Sequence, residues 1–153
     1  MQTADAMVEL GLRDAGYLYV NIDDGWLMPE RDTNGNLIEA REKFPDGMRY
    51  ITDYIHSKGL KAGTYLGCGF KTWNGDAGSL GHEYEDARQV ADWGFDYIKY
   101  DRHPMSDDPP RDTVAEYIKM GLAIRDCGRD ILYNMCEHGT TKPWNWAAGV
   151  GQT

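Results

Sequence analysis

Residues 94–101, with the sequence GFDYIKYD, decide the fold class of this chain. A glycine is followed there by a short run of aromatic and β-branched residues, which is typical of a buried strand. The same arrangement recurs after Gly16, Gly59 and Gly128. Lys99 and Asp101 lie two residues apart at the end of this strand, so their side chains are expected to point to the same face.

A helix-like segment precedes each of these glycines. Before Gly59, for example, Met48, Ile51 and Ile55 have the spacing that places side chains on one helical face. A glycine just past a helix is the expected left-handed stop. The order is therefore helix then strand, repeated four times, which predicts a parallel sheet with right-handed crossovers.

Two α/β architectures fit this order: a doubly wound sheet and part of a (β/α)8 TIM barrel. A complete barrel takes about 250 residues, whereas this chain has 153. In the barrel interpretation, residues 1–153 form an incomplete domain with about strands 2 to 5 and their helices; the first strand and the C-terminal strands are missing. In the loop after the first predicted strand, Asn34-Gly35 predicts a tight hairpin turn.

Composition excludes several classes of partner. The formal net charge of −9 argues against nucleic acid and against anionic membrane surfaces. The sequence has no apolar run long enough to cross a membrane, so no membrane insertion is expected. The three cysteines (Cys68, Cys127 and Cys136) lack metal-type spacing and are expected to be thiols unless a partner lies outside this chain.

Polar side chains follow every predicted strand at its carboxyl end, which is where parallel α/β folds place their sites. They are Asp23, Asp24, Tyr65, Lys99, Asp101 and Glu137. Three chemistries suit carboxylates beside a lysine: glycoside hydrolysis with two carboxyl groups, a metal held by carboxylates, and a Schiff-base lysine. The last is disfavoured, because Asp101 would keep the Lys99 amine protonated.

Several motifs, in the same order and register, resemble glycoside hydrolase family 27, the melibiase-type α-galactosidases and α-N-acetylgalactosaminidases. The matching stretches are GLRDAGYLYVNIDDGW (11–26), RDTNGNL (31–37), KFPDGMRYITDYIHSKGLKAGTY (43–65), GSLGHEYEDARQVADWGFDYIKYD (78–101) and ILYNMCEHG (131–139). The resemblance implies a (β/α)8 barrel and a retaining hydrolase that removes terminal α-linked galactose from oligosaccharides or glycoconjugates. It implies no cofactor and no metal.

The resemblance also implies roles for individual residues. Asp101 ends the [KR]-[YF]-D motif and would be the nucleophile, while the acid/base aspartate is expected outside this chain, so that the chain alone is expected to be inactive. The remaining residues would bind substrate: Asp23, Asp24, Trp26, Tyr65, Lys99, Cys136 and Glu137. Trp26 is expected at the pocket rim, with core packing as the alternative. Glu137 is expected to face the 2-hydroxyl group of the sugar.

Departures from the family pattern leave the substrate open. Many members pair a cysteine in the loop after the second strand of this chain with one just after the nucleophile, and here Trp73 and His103 or a neighbour stand at those positions. The alternatives are a β-L-arabinopyranoside, an isomaltosyl or an α-N-acetylgalactosaminide linkage. An alternative of another class is a non-catalytic carbohydrate-binding or metal-dependent barrel. The histidines are expected to be surface or packing residues, with His103 a candidate for substrate contact. The resemblance implies a secreted or periplasmic location for the parent protein.

Overall fold

The computed structural model describes residues 1–102 and 111–152. Four helices alternate with four strands within these residues. The helices are α1 (Gln2–Glu9), α2 (Gly47–Ser57), α3 (Glu83–Asp92) and α4 (Thr113–Asp126), and the strands are β1 (Tyr19–Asn21), β2 (Lys61–Cys68), β3 (Tyr97–Arg102) and β4 (Leu132–Cys136). Two 3-10 turns, Pro143–Asn145 and Ala147–Gly149, follow β4. The predicted helix–strand alternation is confirmed.

All four strands are parallel, and they lie in the sheet in the order β1-β2-β3-β4. Sequential order in a parallel sheet is what a segment of a (β/α)8 barrel requires, whereas a doubly wound sheet reverses its strand order. The four glycines that follow the helical segments all have positive φ, between 69° and 97°. They end each helical segment and return the chain to the sheet.

The main core lies between the sheet and the helices. Leu66, Ile98 and Tyr100 point from β2 and β3 into this core and are fully buried. The ring of Tyr100 packs against Tyr117 of α4, with 5.3 Å between ring centroids. Because strand side chains alternate between faces, Lys99 and Asp101 on the same strand point away from the helices.

The opposite face of the sheet carries polar side chains in two layers. Lys99 pairs in register with Tyr65 of β2 on one side, and Asp101 pairs with Cys136 of β4 on the other. Nearer the amino-terminal end of β2, Gly63 leaves the space that the Asn21 side chain occupies, since a Cβ at Gly63 would lie 1.9 Å from the Asn21 amide oxygen. Polar side chains from the strands therefore lie together on the face of the sheet opposite the helices.

The loop between β1 and α2 folds back as a hairpin, as Asn34-Gly35 predicts. The Asp32 carboxylate accepts hydrogen bonds from the backbone amides of Asn34 and Asn36. Backbone hydrogen bonds, such as Met28 to Ile38 at 2.8 Å, join the two arms. The hairpin packs beside the loop that follows β2, so the two loops form one wall above the sheet.

Candidate active site

Asp101 is the central group at the carboxyl end of the sheet. It belongs to β3, has only 5% of its surface exposed, and receives a hydrogen bond from a neighbouring strand and another from the segment after β4. The Tyr65 hydroxyl donates to Oδ2 at 3.3 Å, and His138 Nε2 lies 2.9 Å from Oδ1. Burial, followed by the charges of Asp101 and Asp24, raises the pKa of Tyr65. Tyr65 therefore stays a hydroxyl and can donate to the carboxylate.

His138 lies at the surface, as expected of the histidines, with 49% of its side chain exposed, but it also contacts Asp101. It follows β4 by two residues, and its left-handed backbone (φ 65°) turns the ring toward Asp101. The Trp73 ring lies edge-on to it at 6.4 Å. The sequence signal for this contact is that His138 follows Cys136 by two residues, since the strand of Cys136 pairs with that of Asp101. His103 lies outside the described residues.

Lys99 makes its direct ion pair with Asp23, not with Asp101. Its ammonium lies 3.0 and 3.1 Å from the two Asp23 oxygens, and 5.2 Å from the centre of the Tyr65 ring. Burial is the largest influence and opposes the charge on each partner, but hydrogen bonds and neighbouring charges together outweigh it, raising the pKa of Lys99 and lowering that of Asp23. Lys99 is therefore a cation near Asp101, and Asp23 holds it in place.

Asp24 joins the loops that follow β1 and β2. Its Oδ1 accepts a hydrogen bond from the Gly25 amide at 2.8 Å, and its Oδ2 accepts one from the Asn74 amide at 2.8 Å. A carboxylate has about four lone-pair sites, so both oxygens can still accept hydrogen bonds from a ligand. Asp23 and Asp24 thus lie at the mouth of the site, where a hydroxylated ligand can reach them.

Trp26 is a core residue, and its expected place at the pocket rim is wrong. Its surface is 1% exposed, and its indole N–H donates to the Tyr65 carbonyl at 2.9 Å. The ring packs edge-on against Trp93 at 5.7 Å and lies beside Phe95. Because the indole fills space under the hairpin and bonds to β2, it supports Tyr65 from behind and leaves no face for a ligand.

Cys136 lies beside Asp101 on the adjacent strand. Burial, followed by a hydrogen bond to Asp101, raises the pKa of the Cys136 thiol to about 11. Its sulfur is 3.9 Å from His138 Nε2. All three cysteines are free in this structure. Cys136 is therefore a neutral thiol in contact with the carboxylate at neutral pH.

Glu137 does not present an open carboxylate in this structure, in contrast to the expectation that it faces the sugar. Its surface is only 2% exposed. Its Oε1 accepts hydrogen bonds from the Thr140 hydroxyl and from the Thr141 amide, the latter at 2.9 Å. Its buried Oε2 has no hydrogen-bond partner within residues 1–102 and 111–152. The turn after β4 wraps around the carboxylate, which accounts for its burial.

Within the described ranges, one group of side chains could hold a metal ion: Asp101, Cys136 and His138 offer ligand atoms that all lie within 4.8 Å of one another. No helix in the described residues is long and apolar enough to cross a membrane. The chemistry that the site offers directly is that of a hydrogen-bonded carboxylate beside a lysine cation. Such a carboxylate can act as a nucleophile or can bind hydroxyl groups.

A sequential parallel sheet with its polar groups at the carboxyl ends of the strands defines a partial (β/α)8 barrel with its site on the usual face. Residues 1–147 match the Alpha galactosidase A family, Melibiase_2. The chain belongs to this family. The family-27 resemblance of the sequence motifs is thereby confirmed.

Individual relatives agree with the family assignment. The chain is 47% identical over 150 residues to Alpha-galactosidase A of Cellvibrio japonicus, and the match covers 98% of this chain but 36% of that protein. It is 44% identical over 153 residues to Alpha-galactosidase 2 of Arabidopsis thaliana, covering 99% of this chain and 38% of that protein. The structure of the α-galactosidase of Saccharomyces cerevisiae with raffinose superposes with a TM-score of 0.91 at 35% identity, covering 98% of this chain and 33% of that chain. The chain thus spans little more than a third of the length of these curated relatives.

Proposed function

We propose that this chain is part of the catalytic barrel of a retaining glycoside hydrolase that removes terminal α-linked galactose from oligosaccharides or glycoconjugates. The observation that carries the proposal is Asp101, a buried carboxylate at the carboxyl end of β3, bracketed by donors from Tyr65 and His138. The proposal draws further support from the family membership and from the names of relatives that match nearly all of this chain.

In the proposed mechanism, Asp101 attacks the anomeric carbon of the galactose. A bond forms between that carbon and a carboxylate oxygen while the glycosidic bond breaks, and the departing oxygen takes a proton from a second carboxylic acid. Water then attacks the same carbon, gives its proton back to that second group, and releases galactose with its configuration retained. The second carboxyl group is assigned to a part of the enzyme outside residues 1–153.

The neighbours of Asp101 have distinct parts in this proposal. Lys99 places a positive charge near the nucleophile, and it can donate hydrogen bonds to sugar hydroxyls. Asp23 and Asp24 accept hydrogen bonds from the outer hydroxyls of the ring. Tyr65 and Trp26 keep the carboxylate in place, one by direct contact and the other from the core.

The proposal includes completion of the barrel by further chain. β1 and β4 are the edges of the four-stranded sheet, so in residues 1–102 and 111–152 each has only one neighbouring strand, although Gln152 bonds to both backbone groups of Tyr133 on the outer side of β4. Open edges of this kind favour pairing with other strands. We assign the first strand of the barrel to the β1 side and the later strands to the β4 side.

The test is chemical rescue of an Asp101→Ala variant in the full-length protein. Hydrolysis of p-nitrophenyl α-galactoside should fall on the order of 1,000-fold or more, because the covalent route is lost. Added azide should restore release of p-nitrophenol and yield β-galactosyl azide, since azide enters the vacated face. Asp53→Ala, on the exposed side of α2, is the matched control and should keep full activity.

Two results would contradict the proposal. One is an Asp101→Ala enzyme that retains normal turnover; the other is rescue that yields α-galactosyl azide, which would assign Asp101 to the acid/base position. A panel of aryl α-galactoside, β-L-arabinopyranoside, α-N-acetylgalactosaminide and isomaltosyl substrates tests the choice of sugar. The α-galactoside should have the highest kcat/KM in that panel.

A further inference from the structure

Three different metal-ligand atoms converge at the candidate nucleophile. Asp101 supplies a carboxylate oxygen, Cys136 a sulfur and His138 an imidazole nitrogen, all within 4.8 Å of one another. His138 Nε2 lies 2.9 Å from Asp101 Oδ1 and 3.9 Å from Cys136 Sγ. The proposed hydrolysis uses only the carboxylate as a reacting group; in it His138 serves as a hydrogen-bond partner of Asp101, and the Cys136 thiol has no reacting role.

The separations suit a small tetrahedral cation. Zinc binds oxygen and nitrogen ligands at roughly 2.0–2.2 Å and sulfur at about 2.3 Å, which puts neighbouring ligand atoms roughly 3–4 Å apart in a tetrahedron. Of the separations of His138 Nε2 from the other two ligand atoms, 3.9 Å to Cys136 Sγ lies within that range and 2.9 Å to Asp101 Oδ1 is slightly shorter than it. Three protein ligands with a fourth position left for water or another molecule is a common zinc arrangement.

The ligand types point to the same class of metal. Cys136, a neutral thiol in the metal-free protein, would release its proton to solvent on binding the ion. Thiolate and imidazole ligands favour zinc and related borderline or soft cations, whereas magnesium and calcium prefer sites made of oxygen atoms. The ammonium of Lys99 opposes a cation nearby, whereas the carboxylates of Asp101 and of Asp23, which lies 3.0 Å from that ammonium, favour one. The net electrostatic environment therefore does not exclude a divalent ion.

The backbone holds the three ligands in place. Asp101 and Cys136 are register neighbours on adjacent strands, so their separation is fixed by the sheet. The left-handed backbone of His138 directs its ring back over the strand ends. The Tyr65 hydroxyl holds the other oxygen of Asp101, which leaves Oδ1 directed toward the imidazole.

We propose that Asp101, Cys136 and His138 form a binding site for Zn²⁺, and that the bound ion inhibits the enzyme reversibly by engaging the nucleophilic carboxylate. The binding site does not depend on the proposed function, whereas the inhibition rests on it. The ion is an inhibitor and not a cofactor, so the metal-free enzyme is the active form.

Metal binding is measured first, without reference to activity. The full-length protein is stripped with EDTA and titrated with Zn²⁺ by calorimetry and with Co²⁺ by absorption spectroscopy. One equivalent should bind, and Co²⁺ should produce a thiolate-to-metal charge-transfer band. Cys136→Ser and His138→Ala should each weaken binding at least about 10-fold, and Cys136→Ser should abolish the charge-transfer band.

Cys127→Ser and His82→Ala are the matched controls, since both residues are partly exposed and are not members of the ligand group. They should bind the metal as the parent protein does. Equal affinity in Cys136→Ser, or a Cys136 that resists alkylation in the native and denatured protein because it forms a disulfide, would overturn the proposal. Circular dichroism of each variant confirms that the fold is retained.

Inhibition is measured next, with each variant compared with its own metal-free rate. Micromolar Zn²⁺ should lower the parent rate at least about 10-fold when the site is filled, and EDTA should restore it. The inhibition constant should rise in both ligand variants. Binding without inhibition would overturn the inhibitory role. An inactive metal-free protein that still binds one Zn²⁺ would instead contradict the proposed function and leave the metal site intact.

Discussion

Arg31 is expected to be the main electrostatic support of the wall above the site. Its guanidinium makes two bonds of 2.7 Å to the two Asp86 oxygens on α3. It also donates to the carbonyls of Gly35 and Gly78, both at 2.8 Å, and so joins the hairpin to the loop after β2. The Asp86 side chain is fully buried, and Arg31 is 14% exposed. Replacing Arg31 by methionine keeps much of the packing and removes every one of these bonds.

The magnitude follows from the burial of Asp86. Removing one partner of a buried ion pair costs about 3–5 kcal/mol, because the remaining charge is left uncompensated. One kcal/mol corresponds to about 2–4 °C in a domain of 150–250 residues. Arg31→Met should therefore lower the melting temperature by about 6–20 °C. Arg41→Met is the control, since its pair with Glu39 is 3.5 Å long and Arg41 is 78% exposed; it should cost at most about 1 kcal/mol.

The loss should also depend on pH. Burial raises the pKa of Asp86, and the hydrogen bonds from Arg31 oppose that rise. A carboxyl group with a raised folded-state pKa destabilises the protein above that pKa, and the penalty falls as the pH falls. Without Arg31 the pKa rises further, so Arg31→Met should lose more stability at pH 7.5 than at pH 5.

The assay is thermal unfolding of the full-length protein at both pH values, with the Arg31→Met/Asp86→Asn double variant. The double variant should regain part of the stability, because no buried charge remains. A loss for Arg31→Met no larger than that for Arg41→Met, or a loss independent of pH, would refute the reasoning.

Three further predictions concern the site and its supports. Lys99→Met should lower kcat/KM about 10- to 150-fold, the equivalent of about 1.5–3 kcal/mol for a charged hydrogen bond. The melting temperature should change little, because the Asp23 side chain with which Lys99 pairs is 67% exposed. An unchanged kcat/KM would contradict the role of Lys99. Trp26→Phe should cost about 1–3 kcal/mol through the lost bond to the Tyr65 carbonyl, measured by thermal unfolding, whereas a rim residue would alter KM alone. Burial opposes the charge on Asp96, but hydrogen bonds from His56, the Ala62 amide and Arg129 lower its pKa. Asp96→Asn should therefore destabilise the protein by about 1.5–3 kcal/mol at pH 7. This loss of stability should shrink as the pH falls through the folded-state pKa of Asp96.

Several features of the fold could be predicted from sequence because they are local. The four glycine stops have positive φ, which glycine adopts without steric cost. The 3.6-residue spacing of Met48, Ile51 and Ile55 identifies α2. Asn34-Gly35 likewise identifies the hairpin turn. The choice between a barrel segment and a doubly wound sheet depends on strand order, which the repeated pattern leaves open. It required the sheet itself and the comparison with solved structures.

The site was predicted less completely because its contacts cross between strands. The sequence fits Trp26 equally to the rim or to the core, since an indole suits both, and only the packing against Trp93 decides between them. Glu137 has the chemistry of a ligand-binding group, but the turn through Thr140 and Thr141 buries its carboxylate. Neither outcome has a signal in the sequence near the residue concerned.

The sequence by itself determined that Lys99 and Asp101 lie on one face of β3, at the end of the sheet where sites are built. The tertiary structure decided which groups touch them. Residues two apart on a strand are separated by about 6.6 Å, whereas adjacent strands are about 4.8 Å apart. The partners therefore come from neighbouring segments: Asp23 contacts Lys99, and His138 contacts Asp101.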